Sequence, residues 1–334
     1  MRAASLLLLL LVGCDESAPE PPDLAPLVGT DQTVTIFDGV TFNASHQSGD
    51  QSVALPDGLF ASVTLHIDLA CPSGGCDPYD RLATIGIVDA GGGDGGADRV
   101  IEIGRFITPF GVGGAWDIDV TDLEPLLHGA RVFRGTIETY AKGWIVTARL
   151  VFVGGVPARL PIAVLPLAWG EFPIGDPSAP TAASVPAETV QLPPDATSAA
   201  VRLFVTGHGQ GNTDNCGEFC ELVHHLGVDG AEAASLDVWR ADCDQNPINN
   251  QKGTWMYSRA GWCPGADVKP WRADLGVRTG SLTLDYAIDP YVNQCSPTDC
   301  LLSSCAFALA SCAYDGGTHT PPRYVLSAAV IAYR

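Results

Sequence analysis

Val63-Thr64-Leu65-His66-Ile67-Asp68-Leu69 alternates apolar and polar side chains without a break. A strand turns successive side chains to opposite faces, so this is the pattern of a strand with one face buried. The same period recurs at Trp116-Ile118-Val120, Ile145 to Val153, Val201-Leu203-Val205, Leu282-Leu284-Tyr286 and Tyr324 to Tyr333. Helical periodicity is almost absent. One short helix is expected at Thr121 to His128, where Thr121 and Glu124 stand at capping-box spacing. The 37 Gly and 25 Pro suit many short strands joined by turns. The chain is therefore read as all-β, mostly antiparallel and built of sandwiches.

Working outward, the chain has two halves that echo each other. Leu55-Pro56-Asp57 precedes the strand at Val63, and Leu192-Pro193-Pro194-Asp195 precedes the strand at Val201. Each strand runs into a cysteine-rich loop holding an acidic residue, Asp80 in the first and Glu218 in the second. The 334 residues accommodate two ordinary domains. The expected divisions are residues 31–156 and 190–334, with a Pro/Ala-rich junction at 157–189.

The N-terminus reads as an export signal. Arg2 precedes an apolar run from Leu6 to Val12, too short to span a bilayer, which ends at Leu11-Val12-Gly13-Cys14. Small and branched residues before Cys14 resemble a lipoprotein cleavage site, so residues 1–14 are expected to be a signal peptide and Cys14 the lipidated end. Residues 15–30, rich in Pro and acids, would form a tether. The expected location is outside the cytoplasm, either anchored by lipid or secreted, and as a monomer. Apart from Cys14, ten cysteines remain, an even number that suggests up to five disulfides in an exported chain. Their spacings, with little His nearby, argue against zinc. The balance of 18 Lys+Arg against 38 Asp+Glu gives a net charge of −20, which would repel nucleic acid and anionic membrane surfaces.

Several blocks then fall in a specific order. Cys71-Pro72-Ser73-Gly74-Gly75-Cys76-Asp77-Pro78-Tyr79-Asp80-Arg81 is followed by Ile103 to Pro109, Ile118 to Asp122, and Glu138-Thr139-Tyr140-Ala141-Lys142-Gly143. In the second half, Cys216-Gly217-Glu218-Phe219-Cys220 precedes Asn246 to Gln251 and Arg259-Ala260-Gly261-Trp262-Cys263-Pro264-Gly265. In this order the blocks resemble the peptide-N-glycosidase F family of bacterial amidases, from about Thr33 to the C-terminus. The resemblance implies two side-by-side eight-stranded antiparallel jelly rolls with the active site between them. It also implies hydrolysis of the amide joining the innermost N-acetylglucosamine to asparagine in N-linked glycopeptides or glycoproteins, with no cofactor and no metal.

Amide hydrolysis needs an activated water, a stabilised oxyanion and a proton for the departing nitrogen. By motif position, Asp80 resembles the principal carboxylate and would activate water. Glu218, from the other domain, would position water or assist proton transfer, and Glu138 resembles a third acidic residue needed for substrate binding. Arg259 would steady a carboxylate or the oxyanion, and Trp262 would stack on a sugar or wall the cleft. Arg81, Tyr79, Tyr140 and His208 complete the expected substrate-binding set. The family pattern would pair Cys71 with Cys76, Cys216 with Cys220 and Cys243 with Cys263. Cys295, Cys300, Cys305 and Cys312 have no counterpart in it.

The chain departs from the family at three aromatic positions. It has Pro78-Tyr79 where the family has Glu-Trp, Tyr140 where it has Trp, and His208 where it has Trp in a Gly-Trp-Gly-His stretch. These changes bear on glycan preference more than on reaction type. Other readings compete. Asp77 and Asp80 in a Gly-rich loop have the oxygen ligands that calcium prefers. Arg259 could pair with Asp242 or Asp244. The whole cleft could bind glycan without cutting it. A copper monooxygenase would need clustered His and Met ligands; here the adjacent His224 and His225 would point to opposite faces of a strand.

Overall fold

A computed structural model describes residues 27–90, 98–174, 185–209, 217–289 and 322–334. In its first half, eight strands make two four-stranded antiparallel sheets. They are β1 (Gln32–Phe42), β2 (Ser48–Leu55), β3 (Phe60–Ala70), β4 (Leu82–Asp89), β5 (Arg99–Ile107), β6 (Gly114–Asp119), β7 (Gly129–Ile137) and β8 (Trp144–Gly154). One sheet runs β1-β8-β3-β6 and the other β2-β7-β4-β5. The alternation in β3 is realised directly: Val63, Leu65, Ile67 and Leu69 are buried, and they meet Ile85 of β4 and Phe133 of β7 from the facing sheet in one core. On the outer face of β3, His66 lies between Asp68 and Asp117.

The second half repeats this plan. Its strands are β9 (Pro161–Pro166), β10 (Glu171–Pro173), β11 (Glu188–Gln191), β12 (Ser198–His208), β13 (Val223–Val228), β14 (Ala231–Asp237), β15 (Trp271–Val277), β16 (Ser281–Ile288) and β17 (Arg323–Tyr333). The sheets run β10-β17-β12-β15 and β11-β16-β13-β14, the same order, position by position, as in the first half. β9 and β10 lie along the same edge of β17, one opposite Ala329–Tyr333 and the other opposite Arg323–Val325, so the first strand of this roll is in two pieces. The expected junction at 157–189 therefore contributes sheet. Its apolar residues Val164, Leu167, Trp169, Phe172 and Ile174 are buried, which a free linker would not allow.

The short helix also differs from expectation. Residues Thr121–Leu126 form a 3₁₀ helix with no side-chain cap. The Thr121 hydroxyl bonds Asp119 Oδ1 at 2.6 Å instead, and Pro125 removes a backbone donor from the turn.

The two rolls are joined through main chain and core. The free edge of β5 is met by residues 265–268 of the second roll: Ile107 N–H donates to the Ala266 carbonyl, Gly265 N–H to Ile107 and Val268 N–H to Arg105. Pairing an edge this way removes a set of unsatisfied backbone groups. Leu82, Ile107, Phe204, Trp262 and Val268 form an apolar cluster across the interface. Beneath it, Arg105 is 1% exposed, holds Glu102 at 2.7 Å, and donates to Thr206 and the Val325 carbonyl.

Candidate active site

The cleft between the rolls is built from the loops that follow β3 and β12. In the first loop Asp77 is fully buried and saturated with donors. Arg81 Nε lies 2.8 Å away, the Thr139 hydroxyl 2.6 Å and the Tyr79 N–H 3.0 Å. Burial works to raise its carboxyl, but these donors outweigh that and hold it below the usual carboxylate range. Asp77 is therefore a brace for the loop, and its oxygens are taken by Arg81 and Thr139 rather than offered to calcium. The Cys71–Cys76 disulfide closes the start of the same loop. Downstream, Arg81 N–H donates to Thr108 Oγ1 at 2.8 Å, and Thr108 N–H returns a bond to the Arg81 carbonyl. Asp80, between the two anchors, is aimed into the cleft.

The second loop is braced by glycine backbone. Glu218 N–H donates to the Gly209 carbonyl and its own carbonyl accepts from Ala260 N–H. Gly207 N–H bonds the Ala260 carbonyl, and a Cβ on Gly207 would stand 2.0 Å from the Gly217 carbonyl oxygen. Gly261, at φ +81°, turns the chain so that Arg259 and Trp262 face the same loop. Cys220 is disulfide-bonded, while Cys216 lies outside the described residues. Cys243–Cys263 ties down the segment bearing Arg259 and Trp262.

Asp80, Glu138 and Glu218 line one cleft of about 280 Å³, together with Arg81, Tyr140 and His208. Leu82, Ile107, Trp262 and Arg323 complete its walls. A second interface cavity, about 490 Å³, also reaches Glu138 but contains neither Asp80 nor Glu218. Its Glu102 and Arg99 are held by Arg105 and Asp89.

The electrostatics separate the three carboxylates. Burial raises the Asp80 carboxyl, against the pull of Arg259 and Arg81. Burial also pushes Glu218 up to about 7; Arg259 opposes this and the charge of Asp80 adds to it. Burial raises Glu138 too, with Arg323 pulling the other way from 3.3 Å. Two facing carboxyls with raised values, one of them titrating near neutrality, are equipped to exchange protons with a substrate.

The remaining expected residues divide. Tyr79 and Tyr140 are 60% and 73% exposed, each with the Arg81 guanidinium 5.3 Å from its ring centre. Both leave aromatic surface free at the cleft mouth. Arg259 is 2% exposed. Its Nε donates to Glu218 Oε1 at 3.0 Å, and its other nitrogens bond the carbonyls of Tyr257 and Thr254. It thus holds a carboxylate and is not spread to meet substrate, while Asp242 pairs with Arg240. Trp262 is 3% exposed; its indole N–H donates to the Gly207 carbonyl, and His208 stacks on it at 5.3 Å. Trp262 walls the cleft and gives no open face to a sugar. His208 bonds Thr206 Oγ1 at 2.9 Å; burial, with Arg323 and Arg105 nearby, keeps it neutral.

His224 and His225 part as a strand requires. His224 is buried beside Tyr286, with burial lowering it to about 3, and His225 lies at the surface between Glu232 and Asp289. Among the described residues no group of three His, Cys, Asp or Glu is placed to hold a metal. Cys14, Cys295, Cys300, Cys305 and Cys312 lie outside the described residues.

Two contributors had no signal in the sequence. Arg323, the first residue of β17, stands opposite His208 and pairs with both Glu138 and Glu171. Thr206 links Arg105 to His208. The Asn246 to Gln251 block turns out to clasp the interface: Asn246 and Gln251 donate to the Pro264 carbonyl, and Gln251 accepts from Phe110 N–H.

Paired jelly rolls with facing carboxylates in a shared cleft define a hydrolase-type site. Comparison with known proteins then specifies the family. Models of the N-terminal and C-terminal domains of peptide-N-glycosidase F match residues 93–152 and 178–303, together more than half of the chain. Peptide-N(4)-(N-acetyl-β-D-glucosaminyl)asparagine amidase F of Elizabethkingia miricola is 29% identical over 326 residues, covering 89% of this chain and 90% of that protein. The structure of PNGase F, a glycosylasparaginase from Flavobacterium meningosepticum, matches with a TM-score of 0.73 and 26% identity, covering 91% of this chain and 96% of that one. PNGF-II shares the fold, with a TM-score of 0.69 and 18% identity over 90% of this chain and 65% of its own. The chain belongs to the peptide-N-glycosidase F family.

Proposed function

We propose that this chain is a peptide-N4-(N-acetyl-β-glucosaminyl)asparagine amidase. It would hydrolyse the amide joining the innermost N-acetylglucosamine of an N-linked glycan to asparagine, leaving aspartate on the peptide. The observation that carries this reading is the meeting of Asp80 and Glu218 from different rolls in one cleft, with Glu218 titrating near neutrality. In this scheme Asp80 takes a proton from water as the water oxygen adds to the amide carbonyl carbon. The carbonyl electrons move to oxygen, and their return breaks the carbon–nitrogen bond. The departing nitrogen takes the proton of protonated Glu218 and leaves as a glycosylamine. Arg259 is a positioning residue that keeps Glu218 in place. Glu138, held by Arg323, and the exposed rings of Tyr79 and Tyr140 suit sugar hydroxyls and sugar faces.

The test is mass spectrometry of a defined N-glycopeptide incubated with the protein and with Asp80→Asn. Free glycan with asparagine converted to aspartate, lost in the variant by about 10³-fold or more, is expected. Release that leaves one N-acetylglucosamine on asparagine would mean cleavage between sugars and refute the mechanism. Binding without release would favour a glycan-binding role.

The reading extends to location. The apolar run before Cys14, and the disulfides Cys71–Cys76 and Cys243–Cys263, suit a lipid-anchored or secreted protein in an oxidising compartment. Recovery of the chain from the cytosolic fraction would contradict it.

A further inference from the structure

Large apolar side chains are seldom left in water without cause when they gather in one place. Among the described residues, Phe219, Met256 and Tyr257 are 40%, 58% and 65% exposed. They come from separate parts of the second roll and share one anchor. Phe219 follows Glu218 directly, and its ring lies 5.0 Å from the Arg259 guanidinium. Met256 and Tyr257 belong to the turn whose Thr254 and Tyr257 carbonyls bind the other arms of that guanidinium. The turn also reaches the first roll: Lys252 N–H donates to the Phe110 carbonyl, and Gly111 N–H to the carbonyl of Asp77. The apolar group is thus fixed beside both catalytic loops, yet none of its three side chains lines the cleft.

A substrate amide held between Asp80 and Glu218 has a sugar on one side and a polypeptide on the other. Tyr140 and the Glu138–Arg323 pair line the cleft with the two carboxylates, and Tyr79 stands beside them over Arg81. Phe219, Met256 and Tyr257 stand outside the cleft lining, around Arg259. They carry no charged group to meet sugar hydroxyls and offer flexible or broad apolar surface. We propose that the Phe219–Met256–Tyr257 rim receives the polypeptide flanking the glycosylated asparagine and favours apolar residues there. This rests on the amidase reading given above. The rim acts on substrate choice, because burying an apolar flank strengthens binding of one peptide over another without touching the reacting atoms.

The experiment compares two glycopeptides with the same glycan, one with Leu and Phe flanking the asparagine and one with Gly and Ser. The protein and its Met256→Ser/Tyr257→Ser variant are assayed on both. The expected result is that the protein prefers the apolar peptide by about tenfold in kcat/KM, mainly through KM, and that the ratio in the variant falls toward one. Both side chains are more than half exposed, so folding is not at stake, and a thermal melt checks it. A ratio near one in the unaltered protein, or an undiminished ratio in the variant, overturns the proposal. Calorimetric binding of the same peptides to Asp80→Asn separates the two readings. Selective binding lost with Met256 and Tyr257, in a protein that cuts neither peptide, would leave the rim standing and remove the amidase. Cleavage without selectivity would do the reverse.

Discussion

The loop after β3 and the loop after β12 hold the same position in their two rolls, and they secure their carboxylates by different means. In the first, the brace is local: Asp77 and Arg81 are four residues apart, and Asp80 lies between them. In the second, the brace is remote: Arg259 reaches Glu218 across 41 residues of chain. Thr139 and Thr108 fasten the Asp77–Arg81 pair to the rest of the first roll. The second loop depends on the segment closed by Cys243–Cys263, whose Ala260 pairs with Gly207 of β12 and with Glu218 itself. The difference also sets the chemistry. Asp77 sits below the ordinary range because three donors meet it, whereas one guanidinium cannot overcome the burial of Glu218, which rises to about 7. One topology used twice thus gives one carboxylate kept ionised as a strut and another poised to carry a proton.

The largest effect that could break this comparison is on activity. Glu218→Gln should lower glycan release by about 10²–10⁴-fold. If protonated Glu218 is the donor, the rate in the unaltered protein falls as pH rises through about 7, and the variant loses that limb. The same group marks stability. Its folded value lies above that of an ordinary glutamate, so its contribution is full in acid and is lost as pH rises through about 7. Urea midpoints at pH 5 and pH 8 should therefore differ less in Glu218→Gln. An unchanged pH profile would move the proton donor elsewhere.

A smaller effect distinguishes local from remote bracing. Arg259→Ala removes the donor to Glu218 and those to the Tyr257 and Thr254 carbonyls together, and should cost about 3–5 kcal/mol in urea unfolding. Arg81→Ala should cost less, about 2 kcal/mol, because Asp77 keeps the Thr139 hydroxyl and the Tyr79 N–H. Equal losses would erase the distinction.

The smallest effect concerns the bridges. Cys243–Cys263 spans 20 residues and Cys71–Cys76 spans 5. Loop-closure entropy then makes replacement of the longer bridge by serines cost about 1 kcal/mol more than replacement of the shorter, read from denaturant midpoints of the two double variants.

Much of the fold could be read along the chain. The period-two runs named six strands that the sheets contain, because a half-buried strand must alternate whatever its neighbours. The echo of Leu55-Pro56-Asp57 in Leu192-Pro193-Pro194-Asp195 marked two rolls whose strand orders agree. Periodicity was silent about β9 and β10, short pieces in a proline-rich stretch with few residues to show a period. Within the site, motif order named Asp80, Glu218, Glu138 and Arg259, and the cleft contains or supports all four. It left Trp262 either to stack on a sugar or to wall the cleft, and only the structure, with Arg259 and His208 over the ring, decides for the wall.

What the sequence by itself determined was the local pattern: which faces of which strands are apolar, which loops carry carboxylates, and how Asp77 and Arg81 come to meet. Only the tertiary structure decided which polar residues would lose their water. Arg202, Thr206 and His208 alternate with Val201, Leu203 and Val205 as though facing solvent, yet all three are buried where β12 packs against the first roll. That docking removes water from Glu218, brings Arg105 to Thr206 and sets Asp80 opposite its partner. Burial of a charge depends on what packs over it, and here the covering surface lies about a hundred residues away in the chain.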